Sequence, residues 1–292
     1  MLSNSLPQSY TLPQPQSFVR EMLEADLPEA LRLLAEDPVR GLHLRGMIED
    51  SGLCSAAHRG RFYGYYREGR LQGLALLGHY ILCYGDDAAY LAFAQTATTS
   101  QAKGALIFGP KPEVESIWQH LEQQGRETKE VHAQFWLVCE NPRLPLGELQ
   151  LRRANLEEVE PVSAAQAEII RQECGYDPRN NGRAGFLQRV AERIRRGRTW
   201  VKMADELVVF KAELISVTPE AVYLEGIWTH PDYRGQGLAK ACMSELVHRL
   251  LRHHKFICLT VEEENVVARR VYERVGFIHA NSYQVRYLQP LT

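Results

Sequence analysis

Two spacings of hydrophobic residues organise this chain, one of about 3.6 residues and one of two, and they predict alternating helices and strands. In the first half, the longer spacing predicts helices over Asp26–Glu36 and Val39–Asp50. The run RFYGYYREGRLQGLALLGHYILCYG then predicts a strand, a Glu-Gly turn and a longer apolar strand. The rest of this half is predicted to contain a helix over Asp87–Thr98, a strand over Ala105–Phe108, a helix from Glu113 and a strand over Ala133–Glu140.

The second half shows a similar order of elements. A strand over Leu149–Arg153 precedes a helix over Leu156–Glu173 and an Arg-rich helix over Ala184–Arg196. Helices, a strand meander and a strand–helix–strand unit occur in this order in both halves, which suggests a duplication, although no residue-level repeat is evident. The remaining predicted elements are strands over Thr199–Ala204, Leu207–Ser216, Ala221–Thr229 and Phe256–Val261, helices over Gly237–Arg252 and Val266–Val275, and terminal strands.

Proline and glycine indicate where the chain divides. The segment NPRLPLG, residues 141–147, lies between periodic stretches near the chain midpoint and is the best candidate linker. The N-terminal residues are rich in Pro, Gln and Ser, and they lack the basic start and apolar run of a signal peptide. We therefore expect a disordered tail over residues 1–17, a first domain over 18–140, a linker over 141–147 and a second domain over 148–292.

Composition narrows the class of protein. Of the 292 residues, 45% are hydrophobic and 24% charged, and the net charge of −2 gives no general attraction to nucleic acid or to an anionic membrane. The six cysteines are scattered without a C-x-x-C pair, which favours reduced, mostly buried thiols over a disulfide or zinc framework. No stretch approaches the ~20 apolar residues of a membrane span. These observations predict a cytoplasmic protein with no membrane or nucleic-acid partner.

Candidate chemistry concentrates in HPDYRGQGLAKA, residues 230–241, which follow a predicted strand and open a predicted helix. Gly235 and Gly237 precede the helix, where backbone N–H groups and the helix dipole can bind a phosphate. A dinucleotide-binding turn is one interpretation, but Lys240 occupies its third glycine position and residues 230–234 separate the strand from the turn. An ordinary loop whose glycines only permit positive φ is another.

Two motifs together resemble the GNAT N-acetyltransferase superfamily. The first, R/Q-x-x-G-x-G/A, is matched by Arg234, Gly237 and Ala239. The second, N-x-x-A-x-x-x-Y-x-x-x-G-F, is matched in NVVARRVYERVGF by Asn265, Ala268, Tyr272, Gly276 and Phe277. The resemblance covers roughly Leu149–Leu288, and the whole chain also resembles bacterial tandem-GNAT proteins whose N-terminal half is a degenerate GNAT-like domain.

The resemblance implies an α/β fold, of α+β order, with two tandem GNAT-like domains. Each would be a mixed, mostly antiparallel sheet with flanking helices and one parallel, splayed strand pair. In the second half that pair would be Ala221–Thr229 and Phe256–Val261, with acetyl-CoA between the strands as cosubstrate and no metal. The residues expected to bind acetyl-CoA are Ile227, Trp228, Thr229, Arg234, Gly235, Gln236, Gly237, Leu238, Ala239, Lys240 and Asn265.

Catalysis would need a base, because an alkylamine with a pKa of about 10 must lose a proton before it attacks. Glu225 is the first candidate, and strand alternation predicts that it shares a face with Ile227. A structural or solvent-facing carboxylate is the alternative, and Glu173 and Glu168 are further candidates to line an acceptor pocket. The resemblance assigns Tyr272 as the general acid for the departing thiolate, whereas a core tyrosine is the alternative.

Other residues admit less specific interpretations. Asn265 would orient the coenzyme arm or only cap the helix that follows it, and Cys242 lies in an apolar helical stripe that favours packing. In the Arg-rich run over Arg189–Arg198, the spacing places Val190 and Ile194 toward a core and predicts a solvated basic face.

In the first half, two prolines stand where a coenzyme loop would need consecutive N–H donors. Pro110 and Pro112 have no N–H to offer, so we do not expect that half to bind coenzyme in the same way. The expected activity is therefore acetyl transfer from acetyl-CoA to a small-molecule or peptide amine, by direct attack in a ternary complex. A non-catalytic acetyl-CoA sensor or scaffold, and an acyltransferase with another acyl group or a hydroxyl acceptor, are the open alternatives.

Overall fold

A computed structural model describes residues 17–99, 104–180 and 182–290 of the chain. The helices are α1 Leu27–Ala35, α2 Leu42–Ser51, α3 Asp87–Thr99, α4 Lys111–Gln123, α5 Val159–Cys174, α6 Arg183–Arg195, α7 Leu238–Leu250 and α8 Val266–Val275. The strands are β1 Ser17–Glu21, β2 Gly60–Arg67, β3 Arg70–Gly78, β4 Tyr80–Tyr84, β5 Leu106–Pro110, β6 Thr128–Cys139, β7 Arg152–Arg153, β8 Thr199–Ala204, β9 Leu207–Val217, β10 Ala221–Thr229, β11 Phe256–Glu262 and β12 Ile278–Leu288. Of the predicted tail, residues 1–16 lie outside the described residues and Ser17 begins β1.

The described strands form one sheet in the order β1-β2-β3-β4-β5-β12-β6-β11-β10-β9-β8-β7. Within it, β4–β5 and β10–β11 pair in parallel, and the other described pairs are antiparallel. The predicted fold, a mixed and mostly antiparallel arrangement with a parallel pair in each half and helices around it, is confirmed.

The two halves exchange strands at the centre of this sheet. The last strand of the first half, β6, lies between β11 and β12 of the second half. The last strand of the second half, β12, in turn pairs with β5 of the first. The hydrophobic pattern predicted strands in these segments but could not predict their partners, because the pairing joins positions more than a hundred residues apart.

Three predicted strands differ from the structure. The long apolar run breaks at His79, whose N–H donates to the Arg59 carbonyl at 2.9 Å, so it forms β3 and β4 instead of one strand. The strand expected over Leu149–Arg153 shortens to β7, because the Leu149 N–H donates to the Glu245 carboxylate at 2.7 Å and Gln150 has a φ of 59°. The expected terminal strands form the single strand β12.

Helices cover both faces of the second half of the sheet. On one face, α7 and α8 pack on β9, β10 and β11, and α7 buries Cys242, Leu246 and Leu250 of its predicted stripe. Burial raises the pKa of the Cys242 thiol to about 12, so this cysteine is a packing residue, as expected. On the opposite face, α5 and α6 form a core that includes Val190 and Ile194, and α2 of the first half packs beside them.

Candidate active site

The two parallel strands β10 and β11 separate part-way along their length. They pair from Ala221 with Phe256 to Leu224 with Leu259, and no further pair between them occurs in the described chain, although both strands continue. Their outer edges stay in ladders, since β10 remains paired with β9 to Thr229 and β11 with β6 to Glu262. The inner edges therefore open a V-shaped cleft, which is the splayed geometry expected for this pair.

A β-bulge shapes the β10 side of this cleft. Gly226 and Ile227 together stand opposite the single residue between Glu213 and Lys211 on β9. Gly226 has a φ of 57°, a conformation that favours glycine, and a Cβ there would lie 3.1 Å from the Lys211 Nζ. The bulge thus needs glycine on both conformational and steric grounds.

The bulge overturns one prediction. Regular alternation would place Glu225 and Ile227 on the same face, but the extra residue shifts the register by one. Glu225 therefore lies on the α5/α6 face with Trp228, whereas Ile227 packs against the core beneath α7. Trp228 also buries its side chain in the α5/α6 core, so only its backbone remains available to a ligand in the cleft.

The turn over Gly235–Lys240 presents free backbone donors. None of its backbone N–H groups has a hydrogen-bond partner among the described residues, and the first α-helical bond runs from the Ala241 N–H to the Gly237 carbonyl at 3.1 Å. Gly235 and Gly237 have φ values of 74° and 82°, and a Cβ built at either would meet nothing within 4 Å. The turn is an open cradle of N–H groups at the N-terminus of α7.

Side chains within the turn hold its shape. Arg234 donates from Nε to the Thr229 carbonyl at 3.0 Å, and Gln236 donates to the Asp232 carbonyl at 2.9 Å. The Arg234 contact ties the turn to the last residue of β10. The cradle is thus fixed by the protein itself before any ligand arrives.

Tyr272 reaches the site from α8. Its ring is buried in the core beneath α7 and packs against Phe277 with 5.8 Å between ring centroids. Within the described part of the chain its hydroxyl makes no hydrogen bond, and the oxygen is not sealed from solvent. Burial raises its pKa well above the ordinary value, so the hydroxyl keeps its proton. The ring is a core group, but its hydroxyl is free to donate.

Asn265 caps α8. Its Oδ1 accepts a hydrogen bond from the Ala268 N–H at 3.1 Å, the contact expected of an N-cap asparagine. The side chain is exposed, and its amide group has no partner within the described residues. The cap is therefore present, and the amide is available for a second role.

Carboxylates gather on the α5/α6 side of the cleft. Glu225 and Glu173 are both solvent-exposed, but protein atoms surround each carboxyl closely enough to reduce its hydration. This desolvation raises the pKa of each carboxyl. The charges of Glu225 and Glu262 raise the pKa of Glu173 further, so the three carboxylates lie within electrostatic range of one another. Glu168, by contrast, is bound in an ion pair with Arg171 at 2.6 Å.

Comparison with known families identifies this arrangement. The profile of the Acetyltransferase (GNAT) family matches residues 168–277, which contain the V-shaped cleft, the N–H cradle and both candidate catalytic residues. Residues 168–277 form a domain of the GNAT superfamily. A second profile, Domain of unknown function (DUF4081), matches residues 60–162, and no curated protein gives a significant match.

Solved structures of GNAT proteins share this fold along nearly the whole chain. A GNAT-family acetyltransferase from Colwellia psychrerythraea is 15% identical with a TM-score of 0.55, and the match covers 92% of this chain and 99% of that one. A tandem GNAT protein from the clavulanic acid biosynthesis pathway is 13% identical with a TM-score of 0.57 and coverage of 94% and 98%. A GCN5-related N-acetyltransferase from Sphaerobacter thermophilus is 15% identical with a TM-score of 0.56 and coverage of 96% and 97%. At these identities the likeness shows the fold alone.

The first half of this GNAT protein has its own parallel pair, β4–β5, and this corrects the predicted position of its loop. The segment that corresponds to the cradle is the connection from β4 to α3, not the segment around Pro110 and Pro112, which begins α4. That connection is only Gly85 and Asp86, whereas residues 230–237 link β10 to α7. The Asp86 carboxylate accepts the Ala89 N–H at 2.9 Å, so an anionic side chain already occupies the N-terminus of α3.

Side chains also fill the divergence of β4 and β5. Their pairing in the described chain runs from Tyr80–Leu106 to Ile81–Ile107, and beyond it Arg40 bridges the two strand ends. It donates to Glu113 at the start of α4 and to the Gly85 carbonyl, both at 2.6 Å, and its guanidinium lies 4.6 Å from the Tyr84 ring centroid. A ligand could enter this cleft only by breaking these contacts.

Several interactions were not predicted from the sequence. The Arg-rich helix α6 buries Val190 and Ile194 as expected, but Arg193, which is only partly exposed, also pairs with the buried Glu213. Lys211 and Glu213 are both fully buried below the bulge. Their signal in the sequence is two charged residues, two positions apart, within the otherwise apolar strand LVVFKAELISV.

Other groups in the described chain carry no site. No helix there is long and apolar enough to cross a bilayer. No three side chains of metal-ligating type lie together in these residues, and His254 instead bonds the Thr218 carbonyl at 2.9 Å. The five described cysteines are free thiols; Cys139, Cys242 and Cys258 are buried, Cys83 is intermediate and Cys54 is exposed.

Proposed function

We propose that this protein is an acetyl-CoA-dependent N-acetyltransferase that transfers the acetyl group to an amine by direct attack in a ternary complex. The observation that carries the proposal is the cradle of unpartnered N–H groups over Gly235–Lys240 at the end of a splayed parallel pair. A diphosphate is the ligand that such a cradle favours, because its oxygens accept from several N–H groups beside the positive end of a helix dipole.

The residues of the cleft fit a pantetheine-like chain with a thioester. Beyond Leu224, the inner edge of β10 lacks a strand partner in the described structure, so backbone groups of Ile227–Thr229 can pair with an extended ligand. One N–H of this segment would polarise the acetyl carbonyl. Asn265 lies at the same end of β11 and would add its amide.

Glu225 and Tyr272 would manage the protons. Glu225 lies on the α5/α6 face, where the carboxylates would attract a cationic amine, and it would take the proton that the amine must lose. Tyr272 approaches from the α7/α8 face with a protonated, unpartnered hydroxyl, and it would donate to the departing thiolate. Base and acid would thus act from opposite faces of the sheet through the gap between β10 and β11.

A pair of glycine variants tests the cradle. Acetyl-CoA at 100 times its dissociation constant should stabilise the protein by about 2.7 kcal/mol, measured as a rise in melting temperature. Gly237→Val should abolish that rise, because a branched side chain would occupy the cradle. Gly125→Val is the matched control: Gly125 has a φ of 83° against 82° for Gly237, and a Cβ at either meets nothing within 4 Å. Both variants carry the same backbone strain, so only a loss specific to Gly237→Val supports the site.

Titration calorimetry and a thiol assay separate the activity from simple binding. Binding should saturate at one acetyl-CoA per chain, because Asp86 and Arg40 occupy the corresponding positions of the first half. Incubation with acetyl-CoA and a panel of primary amines should release free thiol and acetylated amine. Saturable binding without thiol release from any amine would instead indicate a sensor or scaffold.

A further inference from the structure

A buried lysine lies directly beneath the bulge that carries Glu225. Lys211 on β9 has no exposed surface, and its ammonium donates to the Gln166 side chain at 2.6 Å. The same ammonium lies 3.5 Å from the Gly226 carbonyl oxygen, and it would be 3.1 Å from a Cβ at position 226. It therefore contacts the residue that makes the bulge and the α5 helix beside it.

A buried carboxylate and a partly exposed guanidinium complete the cluster. The Lys211 ammonium forms an ion pair with Glu213 Oε1 at 2.9 Å, although the angle does not suit a hydrogen bond. Glu213 also pairs with Arg193 of α6. Burial opposes ionisation of Glu213, but the Lys211 and Arg193 charges outweigh it and hold its pKa below the ordinary value. Burial lowers the Lys211 pKa, and the Glu213 charge opposes that shift. The cluster joins β9, α5 and α6 below Gly226.

Fold stability does not account for this cluster. A buried ion pair contributes little net stability, because the loss of hydration offsets the attraction, and apolar residues of similar size serve as well or better. Its neighbours on the same strand, Val209 and Phe210, are buried apolar residues. Apolar side chains could not supply a hydrogen-bond donor to the Gly226 carbonyl in the bulge.

We propose, on the basis of the function proposed above, that Lys211 is a positioning residue: its ammonium fixes the Gly226 peptide, and through it the placement of Glu225 and of the Ile227 backbone in the cleft. Glu213 pairs with the ammonium and favours its charged form, and Arg193 in turn pairs with Glu213. The acceptor amine and the acetyl carbonyl would both be aligned by this one buried cation.

The electrostatic consequence has a definite sign. The charges near Glu225 come from Arg193 on α6, Lys211 and Glu213 on β9, and Glu173 on α5. Lys211 and Arg193 lower the Glu225 pKa, and Glu213 raises it. Replacing Lys211 by a neutral residue removes one lowering charge and leaves Glu213 less compensated, so the Glu225 pKa should rise.

The first experiment compares Lys211→Met with wild type and needs no acceptor. In a titration followed by ¹³C NMR, the Glu225 carboxyl of the variant should titrate at higher pH than that of wild type. The Gly226 and Ile227 amide resonances should also move. Arg286→Met is the matched control. Arg286 is also buried and forms an ion pair, with Glu115 at 3.2 Å, but it lies on β12 where that strand pairs with β5 of the first half. Unchanged Glu225 titration and amide signals in Lys211→Met would overturn the proposal, whether or not the protein is an acetyltransferase.

The second experiment separates positioning from stability. The double variant Lys211→Met/Glu213→Leu removes the ion pair as a unit, so its melting temperature should approach that of wild type. With an acceptor in hand, kcat should still fall by about 10²-fold, because a misplaced reacting group costs this much, while the acetyl-CoA Kd changes little. A double variant with wild-type kcat would show that the cluster is structural. Wild-type protein that releases no thiol would instead refute the proposed function and leave the NMR result to decide the role of Lys211.

Discussion

At the scale of single residues, the proposed base and the proposed acid both have raised pKa values, but their surroundings differ. Glu225 lies in a concave, water-accessible position whose burial raises its pKa toward the range in which a base works best. Tyr272 is enclosed by core residues, and burial raises its pKa so that it stays protonated. Each shift therefore suits the role proposed for that residue.

The proposed role of Glu225 as the base predicts how activity depends on pH. Since Glu225 must be ionised to accept a proton, kcat/KM should fall as pH falls through its raised pKa, and Glu225→Gln should reduce kcat by about 10²- to 10⁴-fold. Glu173→Gln removes a neighbouring like charge, so activity should remain and the acidic limb should move to lower pH. If Glu173→Gln abolishes activity and Glu225→Gln keeps it, the two roles are reversed.

The raised pKa of Glu225 also predicts how the stability of the protein depends on pH. Its folded-state pKa lies above the unfolded value, so the stabilisation it contributes is present at low pH and is lost as pH rises through the folded pKa. Glu225→Gln should therefore melt no lower than wild type at neutral pH while it loses activity. A clearly lower melting temperature there would indicate that Glu225 is a structural carboxylate.

The acid is tested by the removal of one oxygen. Tyr272→Phe keeps the ring packed against Phe277, so kcat should fall by about 10²-fold, near the lower end for a general acid because a thiolate needs less help than an alkoxide. The acetyl-CoA Kd should stay nearly constant. Tyr84→Phe, in the first half, is the control for the loss of a buried tyrosine hydroxyl. A weakened Kd with kcat preserved would make Tyr272 a binding or packing residue.

At the scale of elements, three local features distinguish the candidate site from the regular helices and strands around it. The bulge in β10 moves Glu225 to the α5/α6 face of the sheet, and the turn before α7 leaves the first N–H groups of that helix without a partner among the described residues. The cap of α8 is the third such feature, since Asn265 ends the connection from β11 and begins the helix that carries Tyr272.

The α8 cap allows two roles of one side chain to be separated. Asn265→Ala should lower stability by about 1 kcal/mol, because the Ala268 N–H loses its acceptor. Asn265→Asp keeps that acceptor and should retain stability, but it loses the amide donor and should weaken acetyl-CoA binding. Equal acetyl-CoA Kd values for wild type and Asn265→Asp, measured by calorimetry, would reduce Asn265 to a cap.

At the scale of the whole molecule, the exchange of β6 and β12 joins the two halves in one sheet. Without β6, the edges of β11 and β12 that it covers would be unpaired along most of their length. The halves also meet through side chains, since Arg45 of α2 pairs with Glu220 before β10 at 2.6 Å. The first half, with its own cleft filled, thus completes the sheet that holds the site of the second.

This exchange predicts that the second half of the chain cannot fold alone. Residues 148–292 expressed by themselves should fail to give a cooperative thermal transition, because unpaired strand edges are costly and prone to aggregate. A full chain cut at a protease site inserted in residues 141–147 should stay assembled and keep its acetyl-CoA binding. A cooperative, acetyl-CoA-binding fragment 148–292 would show that β6 is dispensable.

The sequence by itself determined the elements and the motifs, because hydrophobic spacing, glycine and capping residues act within a few positions of the chain. It therefore predicted β10, α8 and the turn at Gly235–Lys240 with nearly the observed bounds, and the family with them. Only the tertiary structure decided the exchange of β6 and β12, the face on which Glu225 lies, and the filling of the first cleft by Arg40. These depend on contacts between residues far apart in sequence, where one extra residue in a strand or one long side chain changes the outcome without changing the local pattern.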